Sequence, residues 1–144
     1  MKINSLYPLK CTEDTFFRLW VEFLTPFHKL TKREKDVAAR VIAQYVKLSE
    51  SIKDQEVLEQ VLWSQTSRKD MRDSLGMSKE FFQMVVGKLR EAGVLAGGAV
   101  NNKYLPHLSV DEDGNKDPRY MLCILFDWSS SANPIKRNGQ EQKG

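Results

Sequence analysis

The stretch of residues 66–95, TSRKDMRDSLGMSKEFFQMVVGKLREAGVL, decides the fold of this 144-residue chain. It predicts a short helix, a turn at Gly76, a second helix that begins after Ser78, and a stop at Gly93. Glycine permits the left-handed backbone that ends a helix, and a serine can cap the next helix through its side-chain oxygen. The expected inward residues recur at helical spacing: Met71, Leu75, Met77, Phe82, Val86 and Leu89. Together they predict a helix-turn-helix, two helices packed through a short turn.

A small β element is expected directly after this stretch. Residues 94–96 are apolar, Gly97 and Gly98 form a dipeptide typical of hairpin turns, and Ala99 and Val100 resume the apolar pattern. The fold class is therefore predicted as mainly α with a small β wing. We expect a winged helix-turn-helix-like domain preceded by N-terminal helices.

A longer strand is predicted at residues 119–128, RYMLCILFDW. Alternate residues of an extended chain point to opposite faces, and here both faces are apolar. A strand of that kind is expected to be covered on both sides. The polar loop before it, residues 111–118, begins like a calcium loop, but Leu122 stands where the closing glutamate would be needed. We interpret that loop as a solvated turn.

Three helices are predicted before the helix-turn-helix, and each has a recognisable start. Thr12 caps a first helix that is apolar nearly all round, which indicates burial on several sides. Residues 31–34, TKRE, form a capping box for the next helix, and Asp54 can start a third. Thr66 or Ser67 is expected to cap the first helix of the helix-turn-helix.

The domain organisation follows from these elements. Residues 1–11 are predicted to be an N-terminal arm, and residues 12–128 a single winged helix-turn-helix-like domain. Residues 129–144 contain almost no apolar side chains. A segment of that composition is expected to be a flexible C-terminal tail.

The composition favours a non-enzymatic protein without a cofactor. The net charge is +3, and 41% of the residues are hydrophobic, which is ordinary for a soluble protein and only mildly basic. Cys11 and Cys123 lack ligand-spaced neighbours, and His28 and His107 lie in no nucleophile or metal motif. No apolar run approaches the roughly 20 residues that span a bilayer. We therefore expect no metal, no small-molecule substrate and no membrane contact.

The second helix of the helix-turn-helix offers a surface that would read DNA. In DNA-binding versions of this unit, that helix enters the major groove. Gln83 could pair with adenine, whereas Lys79 and Lys88 could reach phosphate or guanine. Glu80 is adverse near phosphates. The DNA-contact candidates are Lys79, Gln83, Lys88, Arg68 and Lys69.

The same helix also carries residues that suit a protein interface. Phe81 and Met84 are poor groove residues but good contacts between proteins, and the apolar first helix has side chains in excess of what a core needs. The protein-interface candidates are Phe16, Trp20, Phe81 and Met84. A third interpretation is structural, with Phe81 and Met84 buried by the N-terminal helices.

Four segments together resemble a family of small helix-turn-helix proteins. They are residues 30–37 (LTKREKDV), residues 68–78, residues 88–90 (KLR) and residues 101–106 (NNKYLP). The chain is similar over roughly residues 1–128 to proteins encoded by crAss-like and related tailed bacteriophages of Bacteroidetes. Residues 30–37 also resemble the opening of regulator helix-turn-helix domains. The phage resemblance implies a virion, packaging or regulatory role and brings no catalytic residues.

Two functions are expected from these observations. The first is a structural or assembly protein of a tailed phage particle, such as a portal-vertex, connector or ring subunit. Its partners would be other phage structural proteins or further copies of itself. The second is a DNA-binding winged-helix transcriptional regulator or a small packaging (terminase) subunit that binds double-stranded DNA. The expected location is the virion or the host cytoplasm.

Overall fold

The computed structural model describes residues 8–129, and this part of the chain is mainly helical with one small antiparallel sheet. The helices are α1 Glu13–Phe23, α2 Thr25–His28, α3 Lys32–Ser49, α4 Gln55–Leu62, α5 Gln65–Leu75 and α6 Lys79–Glu91. The strands are β1 Leu95–Ala96 and β2 Ala99–Val100, followed by a short 3-10 helix, Asn102–Tyr104. These elements belong to a first compact unit, Met1–Pro106, and a second unit covers His107–Gly144. The predicted class, mainly α with a small β element, is confirmed.

Side-chain caps set where the long helices begin. Thr12 and Thr31 form capping boxes, and Asp54 and Ser78 each accept a hydrogen bond from the third residue of their helices. An N-cap of this kind contributes about 1 kcal/mol. These four starts were predicted from sequence and are confirmed.

The predicted cap of α5 was wrong. Ser64 caps this helix and accepts a hydrogen bond from the Ser67 amide at 3.3 Å, so α5 begins earlier than the predicted caps Thr66 and Ser67. The reason is local: α4 ends at Leu62 with Trp63 as its C-cap, and Ser64 is the first side chain after them that can cap. Ser67 is instead buried, and within residues 8–129 its hydroxyl has no hydrogen-bond partner.

The core of the first unit forms around α3, which contacts α1, α4, α5 and α6. Val37, Val41 and Ile42 of α3 are at most 1% exposed. The facing residues of α5 and α6 are buried as well: Met71, Phe82, Val85, Val86 and Leu89. The inward positions predicted for α5 and α6 are therefore confirmed, except for Leu75, which is half-buried because α5 ends there.

A tight turn joins α5 to α6. Gly76 has a φ of 64°, and the Met77 amide donates to the Arg72 carbonyl at 2.9 Å. Arg33 of α3 closes the end of α5 through a 2.7 Å hydrogen bond to the Leu75 carbonyl. The turn is thus fixed by backbone geometry and by a side chain from the central helix.

The strands β1 and β2, each two residues long, form a hairpin at the predicted position. Leu95 pairs with Val100 and Ala96 pairs with Ala99, and Gly97 takes a φ of 65° in the turn. The Trp63 indole donates to the Gly98 carbonyl at 2.7 Å. The tip of the hairpin is therefore anchored to the end of α4.

The last residues of the first unit are tied back to its first helices. The Trp20 indole donates to the Tyr104 carbonyl at 2.8 Å, and the Tyr104 hydroxyl donates to the Phe27 carbonyl at 3.2 Å. His28 is buried: its Nδ1 accepts from the Leu30 amide, so its Nε2 donates to the carbonyl of residue 21. These contacts give Trp20, Tyr104 and His28 structural roles.

Charged side chains link α1 to α3 across their exposed edges. Glu22 accepts from Lys35 and from Arg18, each at 2.9 Å, and Arg18 also donates to Asp36 at 2.8 Å. The hydrogen bond from Lys35, with a second from Arg18, lowers the pKa of the Glu22 carboxyl from its ordinary 4.5 to about 2. Glu22 therefore remains ionised in the folded protein at pH values where it is protonated in the unfolded chain.

Glu22→Gln should make stability less dependent on pH in acid. A carboxyl whose pKa is lowered by folding stabilises the protein above its unfolded value, and this contribution is lost as pH falls through the folded value. The wild-type protein is expected to be more stable than the variant near neutrality, and the difference should shrink between about pH 5 and pH 2. Urea unfolding at a series of pH values measures this. A constant difference would contradict it, and the difference at neutral pH should diminish in about 1 M salt.

The second unit contains a polar turn followed by an extended apolar segment. The Asp111 carboxylate accepts from the amides of Asp113 and Asn115, and Val110 bridges to Lys116. The strand predicted at residues 119–128 was wrong: the segment belongs to no strand and is exposed throughout. A strand needs a hydrogen-bonding neighbour and a cover for each apolar face, and the described residues supply neither.

Two other sequence predictions fall largely outside the described residues. The N-terminal arm is described only from residue 8, where residues 8–11 are exposed and belong to no helix or strand. The C-terminal tail is described only at Ser129. Within residues 8–129, no helix has the combined length and apolar character that crossing a membrane requires.

Candidate functional site

Along the midline of its exposed side, α6 carries acidic and apolar residues. Successive residues of an α-helix are separated by about 100° around its axis. Because Phe82, Val85, Val86 and Leu89 are buried, the side opposite them is the most exposed. The residues of that side are Glu80, Met84, Gly87 and Glu91. Two carboxylates would therefore meet the phosphates of a duplex that approached this side directly.

The predicted DNA-contact residues do not form one surface on α6. Lys79, Gln83 and Lys88 are exposed, but Lys88 lies about 180° around the helix from Lys79. In α5, Lys69 pairs with Asp73 at 2.6 Å, and Arg68 folds back onto Trp63. The structure thus places Lys79 and Gln83 on one edge of α6 and separates them from Lys88.

The predicted interface residues also divide into two groups. Trp20 is 7% exposed, and Phe16 packs half-buried against it with ring centroids 6.4 Å apart. Phe81 is half-buried, whereas Met84 is 54% exposed one turn further along α6. The purely structural interpretation therefore fails for Met84, which the N-terminal helices leave exposed.

A small cleft opens beside Trp63, where the end of α4 meets α5 and α6. Its volume is about 230 Å³, and it is lined by Trp63, Arg68, Phe82, Gln83, Val86 and Arg90. The Arg68 and Arg90 guanidinium carbons lie 5.6 Å and 5.9 Å from the centroid of the Trp63 ring. Both distances fit cation–π contacts. The cleft therefore brings two cations and one amide side chain together.

Neither Trp63 nor Arg90 is among the site residues predicted from the sequence. Trp63 ends α4 and Arg90 lies in the last turn of α6, so 27 positions separate them in sequence. They come together only when α4, α5 and α6 pack in the folded unit. The one local signal was a tryptophan at a helix end that is followed by a polar segment.

The most exposed apolar side chains of the described chain lie in the second unit. Leu125 is 86% exposed, Phe126 77% and Trp128 73%. Monomeric soluble proteins rarely expose contiguous apolar patches of large extent. Residues 119–128, named here the docking segment, are therefore a second candidate site.

The possible metal ligands and the cysteines of the described residues lie outside both candidate sites, except for Cys123 and Asp127 in the docking segment. Within positions 8–129, no three His, Cys, Asp or Glu side chains are grouped so that they could hold a metal ion. Cys11 and Cys123 are exposed free thiols.

Gly87 occupies a half-buried position in the middle of α6. A Cβ atom built there meets no atom within 4 Å, so no contact within the described protein requires glycine. Glycine in a helix interior costs roughly 0.5–1 kcal/mol relative to alanine. Absence of a side chain would let a partner approach the α6 backbone closely.

Gly87→Ala is expected to raise the free energy of unfolding by about 0.5–1 kcal/mol, because helix propensity improves and no clash arises. Urea unfolding of the purified protein measures this. Gly76→Ala is the control; Gly76 has a φ of 64°, so alanine there should destabilise by about 1 kcal/mol. A loss of stability in the Gly87 variant would contradict the open surface described here.

Comparison with known proteins gives no match to this chain among family models, curated proteins or solved structures.

Proposed function

We propose that this protein is a non-enzymatic assembly subunit and that the docking segment, residues 119–128, binds a neighbouring subunit. The observation that carries the proposal is the exposure of seven large apolar side chains in this short segment. They are Tyr120, Met121, Leu122, Ile124, Leu125, Phe126 and Trp128. Their alternation fits an extended chain that is buried on both faces by its partner.

Simple energetics favour a partner that pairs with the backbone of the docking segment. Burying one large apolar side chain contributes about 1.5–3 kcal/mol, whereas ordering a residue costs about 1–2 kcal/mol. Over the segment the two effects roughly offset each other. Backbone hydrogen bonds add about 0.5–1.5 kcal/mol each. A partner with a sheet edge, which supplies those bonds by strand addition, would therefore hold the segment best.

The exposed side of α6 supplies a second surface for the proposed assembly. Met84 is exposed, Phe81 is half-buried beside it, and Gly87 allows close approach. Methionine and aromatic side chains are enriched in protein interfaces, and carboxylates there repel phosphates. Glu80 and Glu91 therefore favour a protein rather than a duplex on this side.

In this proposal α5, α6 and the hairpin form a winged helix-turn-helix-like scaffold used for protein contact. The turn at Gly76 and the position of the hairpin directly after α6 support that interpretation. The resemblance to small proteins of tailed phages supports a phage particle as the setting. Within it, a portal-vertex, connector or ring subunit would contact copies of itself or other structural proteins.

Two measurements test the assembly proposal. Light scattering after size exclusion is expected to show an oligomer of the full chain, and mass spectrometry is expected to detect the protein in purified particles. A monomer at micromolar concentration that is absent from particles would overturn it.

A second candidate function is duplex DNA binding by a winged-helix regulator or small packaging subunit. The specific observation is that Lys79 and Gln83 are exposed on the same edge of α6. Binding through phosphates should weaken steeply as salt rises. A gel shift at low salt that disappears at higher salt, and that Lys79→Gln weakens, would support this function. No shift of any duplex at low salt would exclude it.

A further inference from the structure

We propose that the cleft beside Trp63 is a binding site for a phosphate group, held between Arg68 and Arg90. The inference does not rest on the assembly function, since every residue involved belongs to the first unit. The ligand class is a phosphate monoester or diester, supplied either by a small phosphorylated molecule or by the backbone of a duplex.

Each arginine is held toward the cleft by one hydrogen bond and one contact with the Trp63 ring. The Arg68 Nε donates to the Trp63 carbonyl at 2.8 Å, and the Arg90 Nε donates to the Gly97 carbonyl at 3.3 Å. Each guanidinium also lies within 6 Å of the centroid of the Trp63 ring. Side chains that are already ordered lose less entropy when they bind. The two guanidinium groups are therefore pre-organised, and ligand binding costs less side-chain entropy.

The cleft has a net positive charge, which favours binding of an anion. No acidic side chain is among the lining residues, and within residues 8–129 neither arginine forms an ion pair. Glu59 lies near the hairpin tip, but it is not a lining residue, and its Oε2 accepts a hydrogen bond from Gln55 at 2.8 Å. Two like charges beside one ring repel each other, and a bound anion would offset that repulsion.

The shape and donors of the cleft select phosphate. A guanidinium presents a planar fork of N–H donors that matches phosphate oxygens. The amide of Gln83 adds a further donor at the rim. A volume of about 230 Å³ is below the roughly 300–1,000 Å³ of sites that enclose a whole small molecule. The cleft therefore suits a single phosphate or pyrophosphate group.

The test is a titration of the full-length protein with inorganic pyrophosphate, followed by NMR of the tryptophan indole and arginine Nε–H signals. Specific shifts are expected at Trp63, Arg68 and Arg90, and not at the buried Trp20 indole. Arg68→Gln and Arg90→Gln should each weaken binding about tenfold, since a charge-assisted hydrogen bond is lost. Pyrophosphate that moves none of the three signals at low salt would overturn the site.

A matched variant distinguishes phosphate binding in the cleft from non-specific attraction to the positive charge of the protein. Lys69→Gln removes the same charge from the same helix, but Lys69 pairs with Asp73 and does not line the cleft. It should weaken binding less than about twofold. Equal losses for Lys69→Gln and Arg68→Gln would overturn the proposal. Thermal unfolding of every variant identifies any loss that comes from a disturbed hairpin, and the wild-type shifts remain a test without variants.

A parallel titration with a short DNA duplex distinguishes the two sources of phosphate. Tighter binding of the duplex than of pyrophosphate, again lost in Arg68→Gln and Arg90→Gln, assigns the cleft to a nucleic-acid backbone. Pyrophosphate binding without duplex binding assigns it to a small phosphorylated molecule. Light scattering reports assembly separately, so the site and the assembly function can fail independently.

Discussion

Replacing Leu125 and Phe126 together by aspartate is expected to abolish assembly while leaving the folded subunit unchanged. These residues are 86% and 77% exposed, so their substitution removes little packing within the chain. Exposed substitutions usually change stability by no more than about 0.5 kcal/mol. Neighbouring residues of an extended segment point to opposite faces, so the double variant places a carboxylate on each buried face of the docked segment.

Burying those carboxylates without partners costs several kcal/mol each, and the variant also loses the burial of two large apolar side chains. Light scattering should therefore change from oligomer to monomer, with the same thermal unfolding midpoint. Val110→Asp is the matched control, because Val110 is 62% exposed in the same unit but lies outside the docking segment. An oligomer that survives in the double variant would show that residues 119–128 do not hold the subunits together.

Phe82→Ala is expected to have the largest effect on stability. Phe82 is 2% exposed in the core of the first unit, and truncating a buried phenylalanine costs about 3–5 kcal/mol through lost burial and the cavity left behind. A loss of that size is a large part of the 5–15 kcal/mol by which proteins are typically stable. Urea unfolding followed by circular dichroism measures it.

The neighbouring Phe81→Ala provides the comparison. Phe81 is half-buried on the edge of α6, so its truncation should cost about 1 kcal/mol. The same variant should weaken assembly if the exposed side of α6 contacts a partner. Equal destabilisation by the two variants would mean that α6 packs differently from the orientation described here.

Helix starts could be predicted from sequence because a cap acts over three or four residues. Thr31 and Glu34 bond to each other's backbone and lie only three positions apart, so the local sequence is enough to identify the cap. The cap of α5 was misplaced for a related reason: Ser64, Thr66 and Ser67 can all cap, and the end of α4 decides which one does.

The docking segment shows where a sequence pattern is insufficient. The alternating apolar residues indicate that residues 119–128 suit a buried strand. They do not indicate whether this chain or another supplies the neighbouring strand and the apolar cover. The cleft beside Trp63 was missed because Arg68 and Arg90 lie on different helices and meet only in the folded unit. Capping is local, whereas strand pairing and clefts depend on contacts between distant residues.

The hydrogen bond from the Trp20 indole to the Tyr104 carbonyl has a consequence for how the protein is made. These residues are 84 positions apart in sequence. At about 5–20 residues per second, a ribosome needs roughly 4–17 s to synthesise the chain between them. Throughout that interval, the core-facing residues of α1, Phe17, Trp20 and Val21, lack the residue that completes their packing. The nascent chain therefore has to keep its first helix from aggregating until one of the last residues of the unit arrives.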